Sequence, residues 1–327
     1  MNIWMFSIRA ISNISFTVSS TNPLVIILGP TASGKTKLAV RLADHLSAEI
    51  ISADSRQVFK GMDIGTGKDL AEYHINGRAI PYHLIDIKLA GEKYNVNEFK
   101  DDFYKVFNQL TADGILPILC GGTGMYIHSL LQNQTYTSIP NNQSLREQIS
   151  PLGIEELRLM LSRYPPQFTE HADLSSHKRL IRAIEVAEYL IGNTLVPELR
   201  PAISPVVIGL NPELSIRRSS VIERLEARID GLIPEVESLI ASGLTEEMLN
   251  YYGLEYKFTA AYLNAEYDLN ELKERLSIAI CQFAKRQMTF FRKMEKDGVV
   301  INWFNPHVDD NELFHNVLRC LKSSGTI

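Results

Sequence analysis

The octapeptide Gly29-Pro30-Thr31-Ala32-Ser33-Gly34-Lys35-Thr36 constrains this chain more than any other stretch. It follows the apolar run Leu24-Val25-Ile26-Ile27-Leu28 and precedes a helical pattern from Lys37 to Leu46. Apolar run, glycine-rich turn and helix, in that order, predict a P-loop. The two glycines let successive backbone N–H groups point at phosphate oxygens, and the helix N-terminus behind them adds partial positive charge. Lys35 is then placed to reach an outer phosphate, and Thr36 to put its hydroxyl on Mg²⁺. A glycine-rich turn with a merely solvated Lys35 is the alternative. The loop specifies a di- or triphosphate and leaves open which molecule carries it.

The rest of the chain alternates short apolar strands with helices. Glu49–Asp54 reads as a second strand ending in an acid, and residues just past strand C-termini line the ligand crevice of open α/β sheets. Asp54 is therefore expected beside the P-loop, with a helix N-cap as its other possible role. Ser55, Arg56 and Gln57 follow, then the glycine-rich loop Gly61–Lys68. Pro81–Ile87 predicts a third strand. Tyr94–Leu110 predicts a helix from its apolar spacing, capped by Asn95 or Asn97. Ile115–Cys120 reads as a buried parallel strand, running into Gly121-Gly122-Thr123-Gly124 and a helix from Met125 to Leu131. That second glycine turn places more backbone N–H groups and the Thr123 hydroxyl at the same sheet edge, unless Gly121 and Gly122 serve only close helix–strand packing.

From Gln132 to Asn142 the composition turns polar, as in a linker. Helical patterns follow at 144–150, 154–163 and 177–191, with no strand until Val206–Leu210. The last of these opens with Lys178-Arg179-Leu180-Ile181-Arg182, which is either a phosphate-binding stretch or a solvated face. Ile216–Ile229 predicts one helix, with Arg224 and Arg228 four apart on a face suited to phosphate oxygens or to pairing with Glu223 and Glu226. Gly253–Lys257 reads as the end of a polar, aromatic loop. A long amphipathic helix at Leu269–Met294, a strand at Val299–Phe304 and a helix at Asn311–Leu321 close the chain.

The expected architecture is α/β: a P-loop NTPase-like parallel sheet flanked by helices, with an all-helical insertion. The divisions are a flexible extension at 1–22, core at 23–133, insertion at 134–204 and core again at 205–327. A net charge of −5 excludes a global basic field, so any polynucleotide must meet a local patch. Cys120, Cys281 and Cys320 have neither metal nor redox spacing and read as reduced thiols, as in a cytoplasmic protein. No apolar run reaches about 18 residues, so no transmembrane helix is expected.

A set of ordered motifs carries a resemblance. Gly-Pro-Thr-Ala-Ser-Gly-Lys-Thr (29–36) is followed by Ile-Ser-Ala-Asp-Ser-Arg-Gln-Val (51–58), Lys-Gly-Met-Asp-Ile-Gly-Thr-Gly-Lys (60–68) and His-Leu-Ile-Asp (83–86). Gly-Gly-Thr-Gly-Met-Tyr (121–126), Arg-Ala-Ile-Glu-Val (182–186) and Ala-Lys-Arg-Gln (284–287) complete it. Over residues 24 to 304 the chain resembles the tRNA dimethylallyltransferases, or tRNA isopentenyltransferases, in their bacterial form. The resemblance implies transfer of a dimethylallyl group from dimethylallyl diphosphate to N6 of the adenosine at tRNA position 37, with Mg²⁺ as cofactor. It also implies that Gly29 to Thr36 (Gly29, Pro30, Thr31, Ala32, Ser33, Gly34, Lys35, Thr36), Arg224 and Arg228 hold the diphosphate. The implied tRNA surface takes in Asp54, Ser55, Arg56, Gln57, Thr123, Lys178, Arg179, Leu180, Ile181, Arg182, Tyr256, Lys257 and Arg286. Two stretches depart from the family: Asp173-Leu174-Ser175-Ser176-His177 stands where His-Pro-Asn-Asp is common, and Gly253-Leu254-Glu255-Tyr256-Lys257 where Gly-Tyr-Arg or Gly-Tyr-Lys is common.

The chemistry needed fits these residue types. Departing diphosphate needs its charge offset, by P-loop N–H groups, Lys35, Arg228 and Mg²⁺ on Thr36. The adenine amine is a weak nucleophile, and a carboxylate such as Asp54 can orient it and take its proton. The target base must leave its stack to react. Competing expectations are a small-molecule kinase with Asp54 or Asp86 on Mg²⁺, an adenylate isopentenyltransferase using free AMP or ADP, and an RNA-binding protein with an inactive P-loop. A monomer without membrane attachment is expected.

Overall fold

A computed structural model describes residues 22–132, 135–170, 172–195 and 199–327. The expected extension at 1–22 therefore lies, except for Asn22, outside the described residues. In chain order the core begins with strand β1 (Pro23–Leu28), helix α1 (Lys35–Leu46) and strand β2 (Glu49–Ser52). A 3-10 turn (Leu70–Tyr73) leads into a short antiparallel ribbon of β3 (His74–Ile75) and β4 (Arg78–Ala79). Then come β5 (Tyr82–His83), α2 (Val96–Ala112), β6 (Pro117–Gly121) and α3 (Gly124–Leu131). The insertion carries α4 (Gln143–Ile149), α5 (Ile154–Leu161) and α6 (His177–Gly192). The chain returns through β7 (Ser204–Leu210), α7 (Leu214–Glu226), α8 (Ile229–Ala241), α9 (Glu246–Tyr252), α10 (Leu254–Leu263), α11 (Leu269–Lys296), β8 (Ile301–Phe304) and α12 (Asp310–Ser323).

Six strands form one sheet in the order β5-β2-β6-β1-β7-β8, with every neighbouring pair parallel. The period-2 alternation of a strand divides β1 between two cores. Leu24, Ile26 and Leu28 face the larger one, with Phe99, Phe103 and Phe107 of α2 and apolar residues of α7 to α11. Val25 and Ile27 face the other, against Leu38, Leu42 and Leu46 of α1 and Leu313, Val317 and Leu321 of α12. Both faces are thus helix-covered, as an all-parallel sheet requires. The insertion helices share a small core of their own, centred on Leu157, Leu180 and Ile184.

Register sets the functional edge. Leu28 pairs with Gly121 on one side and Gly209 on the other, and Ser52 pairs with Cys120. The P-loop, Asp54 and the Gly121–Gly124 turn therefore leave the sheet side by side at its C-terminal edge.

Three sequence expectations need correction. Of Pro81–Ile87 only Tyr82 and His83 pair as strand; Leu84 and Asp86 take φ of 61° and 57°, which ends the extended run. The predicted helix 216–229 stops at Glu226, and Arg228 sits in the junction before α8. Gly253–Lys257 is not a loop: α9 and α10 meet at Gly253, and α8 forms despite an internal Pro234. Burial of Leu232, Val236, Leu249 and Tyr256 in the larger core explains why tertiary packing outweighs weak local propensity here.

Candidate active site

The P-loop keeps the conformation its glycines allow, and α1 begins directly behind it, with Gly34 as N-cap at φ 78°. Ala32 is also left-handed, at φ 58°. Lys35 Nζ donates to the Pro30 carbonyl at 2.7 Å, folding the ammonium over the loop. Burial, reinforced by Arg224, lowers its pKa to about 8. The Ser33 hydroxyl is buried with no hydrogen-bond partner, an unsatisfied group inside a loop built to meet phosphate oxygens. One P-loop N–H is already committed: Thr31 N donates to Gln287 Oε1 at 2.9 Å, while Gln287 Nε2 donates to Gly122 O at 3.0 Å. Gln287 of α11 thereby ties the P-loop to the second glycine turn.

Beside it, Asp54 follows β2. Its Oδ1 accepts from Arg56 N at 2.9 Å, an Asx turn with no helix to cap. Thr123 Oγ1 accepts from Ser55 N at 3.0 Å, fixing the segment after Asp54 to the second turn. Gly121 is needed for that approach, since a Cβ there would lie 2.3 Å from Ala53 O. Close packing is thus a role of this glycine, and the turn lines the site as well. Burial pushes the neighbouring Cys120 thiol up to about 12, so it is not a nucleophile near neutral pH.

The third wall is the loop Gly61–Asp69, braced at two points. Glu235 of α8 accepts from Asp63 N (2.8 Å), Ile64 N (2.8 Å) and Gly65 N (3.0 Å), and from Tyr256 Oη at 2.8 Å. Lys68 is fully buried and donates to Phe59 O (2.7 Å), Asp63 (2.6 Å) and Asp86. Arg224 and Arg228 then converge on Asp69: Arg224 Nη2 lies 3.0 Å from Oδ2, and Arg228 Nη2 bonds Oδ1. Arg224 also reaches Thr31 Oγ1 and Gly67 O, both at 3.3 Å. At Gly67, φ is 65° and a Cβ would lie 2.6 Å from the Arg224 guanidinium, so a side chain there would be strained and would push the guanidinium aside. The arginines pair with Asp69, not with Glu223 or Glu226. Burial and the adjacent Asp69 carboxylate raise the pKa of Glu72; burial likewise raises that of Glu255.

These walls enclose a cavity of about 700 Å³, within the usual range of about 300–1,000 Å³ for small-molecule sites. Thr31 to Thr36, Asp54 to Gln57, Thr123 and Arg224 line it, with Lys257 and Arg286 among its further lining residues. Arg286 also lies over the Phe283 ring, and Arg56 over the Tyr251 ring. A side crevice of about 40 Å³ lies between Ile64, Val221, Leu225, Leu232 and Ile280, and Arg228 and Glu255 border it. Gly29 and Pro30 belong to the loop without lining the cavity.

Other predicted contacts are placed elsewhere. Tyr256 is fully buried, its hydroxyl spent on Glu235, and faces no surface. Leu180 and Ile181 are buried in the insertion core. Arg182 donates to Tyr136 O at 3.0 Å and Ile139 O at 2.6 Å, and so closes the insertion on itself. Lys178 and Arg179 are exposed, and Arg179 pairs with Asp173 at 2.7 Å. None of residues 178–182 lines the cavity. Asp86, paired to Lys68, does not line it either. Asp69, Glu235 and Gln287 carry structural roles that sequence reasoning did not assign. Only Gln287 lay in a stretch marked by its motif.

Comparison with known proteins gives the family. The family model described as IPP transferase matches residues 57–294. The tRNA dimethylallyltransferase 2 of Porphyromonas gingivalis is 46% identical over 92% of this chain and 100% of its own length. The tRNA dimethylallyltransferase 1 of Parabacteroides distasonis is 46% identical over 92% of this chain and 98% of its own. Among solved structures, the full-length tRNA isopentenylpyrophosphate transferase of Bacillus halodurans superposes with a TM-score of 0.69 at 30% identity, covering 93% of this chain and 97% of that one. This chain belongs to the IPP transferase family, the tRNA dimethylallyltransferases, which are prenyltransferases with a P-loop NTPase-like fold.

Proposed function

We propose that the protein transfers a dimethylallyl group from dimethylallyl diphosphate to the N6 amine of the adenosine 3′ of the anticodon, tRNA position 37. The observation that carries this is the placement of Asp54 and the P-loop on one cavity. The allylic C–O bond breaks, the new C–N bond forms at N6, and diphosphate leaves. P-loop N–H groups, Lys35, Arg224 and Arg228 offset the charge developing on the leaving oxygens. The second carboxylate oxygen of Asp54 takes the N6 proton, because Oδ1 is held by Arg56 N. The target base enters the cavity out of its stack, past the aromatic and cationic side chains Phe283, Arg286 and Lys257. The exposed Lys178 and Arg179 of the insertion meet RNA phosphates further out.

The site also suits Mg²⁺. Among the described residues no group of three or more His, Cys, Asp or Glu forms a metal cage. The donor set is hard oxygen, with Thr36 as the protein ligand and diphosphate supplying others. Bound there, Mg²⁺ would supply charge neutralisation for the leaving diphosphate. A monomer in the cytoplasm fits this reading. The three cysteines are free thiols, and no described helix is long and apolar enough to cross a membrane.

Asp54→Asn tests the central role. Single-turnover prenylation of unmodified tRNA should slow by about 10²-fold or more, with tRNA affinity little changed. A variant at full speed would remove Asp54 as the proton acceptor.

A further inference from the structure

Asp69 has the wrong sign for an anion site. Its carboxylate nevertheless takes one donor from each of two arginines, Arg224 on the diphosphate cavity and Arg228 on the side crevice beside it. Three features show that this is a built contact. The backbone of Asp69 is left-handed, at φ 45°. The preceding residue, Lys68, is buried and held by Phe59 O, Asp63 and Asp86, so the loop offers Asp69 from a fixed base. Asp69 also stands at the N-cap of the 3-10 turn Leu70–Tyr73, yet its side chain makes no capping bond there. The side chain points at the guanidinium groups instead.

Guanidinium forks bind carboxylate and phosphate through the same donors. A multiply charged diphosphate that engages these donors must displace Asp69, and as it leaves Asp69 can take them back. We propose that Asp69 is an exchangeable counter-anion for Arg224 and Arg228: it pairs the arginines between turnovers, weakens ground-state binding of diphosphate and speeds its release. The inference rests on the reading of the arginines as diphosphate contacts. A residue that merely held the arginines in place for diphosphate would act in the opposite direction, because its loss would weaken binding.

Calorimetric titration of wild type, Asp69→Asn and Arg224→Gln with inorganic diphosphate separates these cases. Asp69→Asn should bind inorganic diphosphate at least about tenfold more tightly. Its steady-state prenylation rate should fall while its single-turnover rate holds, because release becomes limiting. Asp69→Ser must shift affinity in the same direction, and it serves as the test should Asp69→Asn fail to fold. Weaker or unchanged diphosphate binding in a folded Asp69 variant would overturn the proposal. If Arg224→Gln leaves diphosphate affinity unchanged, the arginine reading itself fails. If Arg224→Gln weakens binding and the Asp69 variants do not tighten it, only the counter-anion proposal fails.

Discussion

Lys35 illustrates how one side chain joins the loop to the chemistry. Its ammonium has a pKa lowered to about 8 by burial and Arg224. Diphosphate favours the protonated form, so binding raises this pKa. Below about pH 8 the proton is already present and affinity is flat with respect to this group. Above it, binding must take up a proton, and affinity falls as pH rises. The dissociation constant for dimethylallyl diphosphate should therefore be roughly tenfold weaker at pH 9 than at pH 7. In Lys35→Arg this fall should vanish. A flat wild-type profile would place the titration elsewhere. Lys35 itself was identifiable from its octapeptide, because a P-loop is local in sequence. Asp69 was not, because its partners are 155 and 159 residues away and no local pattern encodes that approach.

Among the secondary elements, those with strong local signals appear as expected. Helix α2 starts at an Asn95–Glu98 capping box and buries Phe99, Phe103 and Phe107 on one face. Strands β1 and β6 emerge from continuous apolar runs. Helices α8 to α10 were hidden by Gly231, Pro234 and Gly253, residues that signal turns when tertiary burial is ignored. Helix α6 divides by environment along its first turns, with Lys178 and Arg179 exposed and Arg182 bonded to backbone carbonyls. Lys178→Ala with Arg179→Ala should weaken tRNA binding and reduce its salt slope, leaving diphosphate binding intact. Arg182→Ala should instead cost stability, about 1–3 kcal/mol, because it leaves the Tyr136 and Ile139 carbonyls without a charged donor. Salt titrations and denaturant melts of the two variants distinguish these roles. A changed salt slope with unchanged stability in Arg182→Ala would reverse the assignment.

The whole molecule brings segments spread from Thr31 to Phe290 onto one cavity at the C-terminal edge of a parallel sheet. The sheet edge was foreseeable from the two strand–glycine turn–helix units and the position of Asp54, since crevices form past strand C-termini. Of the closing wall from α7 to α11, Arg224, Lys257 and Arg286 were named, but its course was not, because α8 to α10 are packed across the chain without a local signal. The resulting arrangement, phosphate site on one side and a carboxylate and aromatic mouth on the other, is what a prenyl transfer to RNA requires. The direct test offers the enzyme labelled dimethylallyl diphosphate with unmodified tRNA and free AMP in one reaction, followed by nucleoside mass analysis. The account predicts label on N6 of the adenosine beside the anticodon and none on AMP. Label on AMP alone, or on neither acceptor, would contradict it.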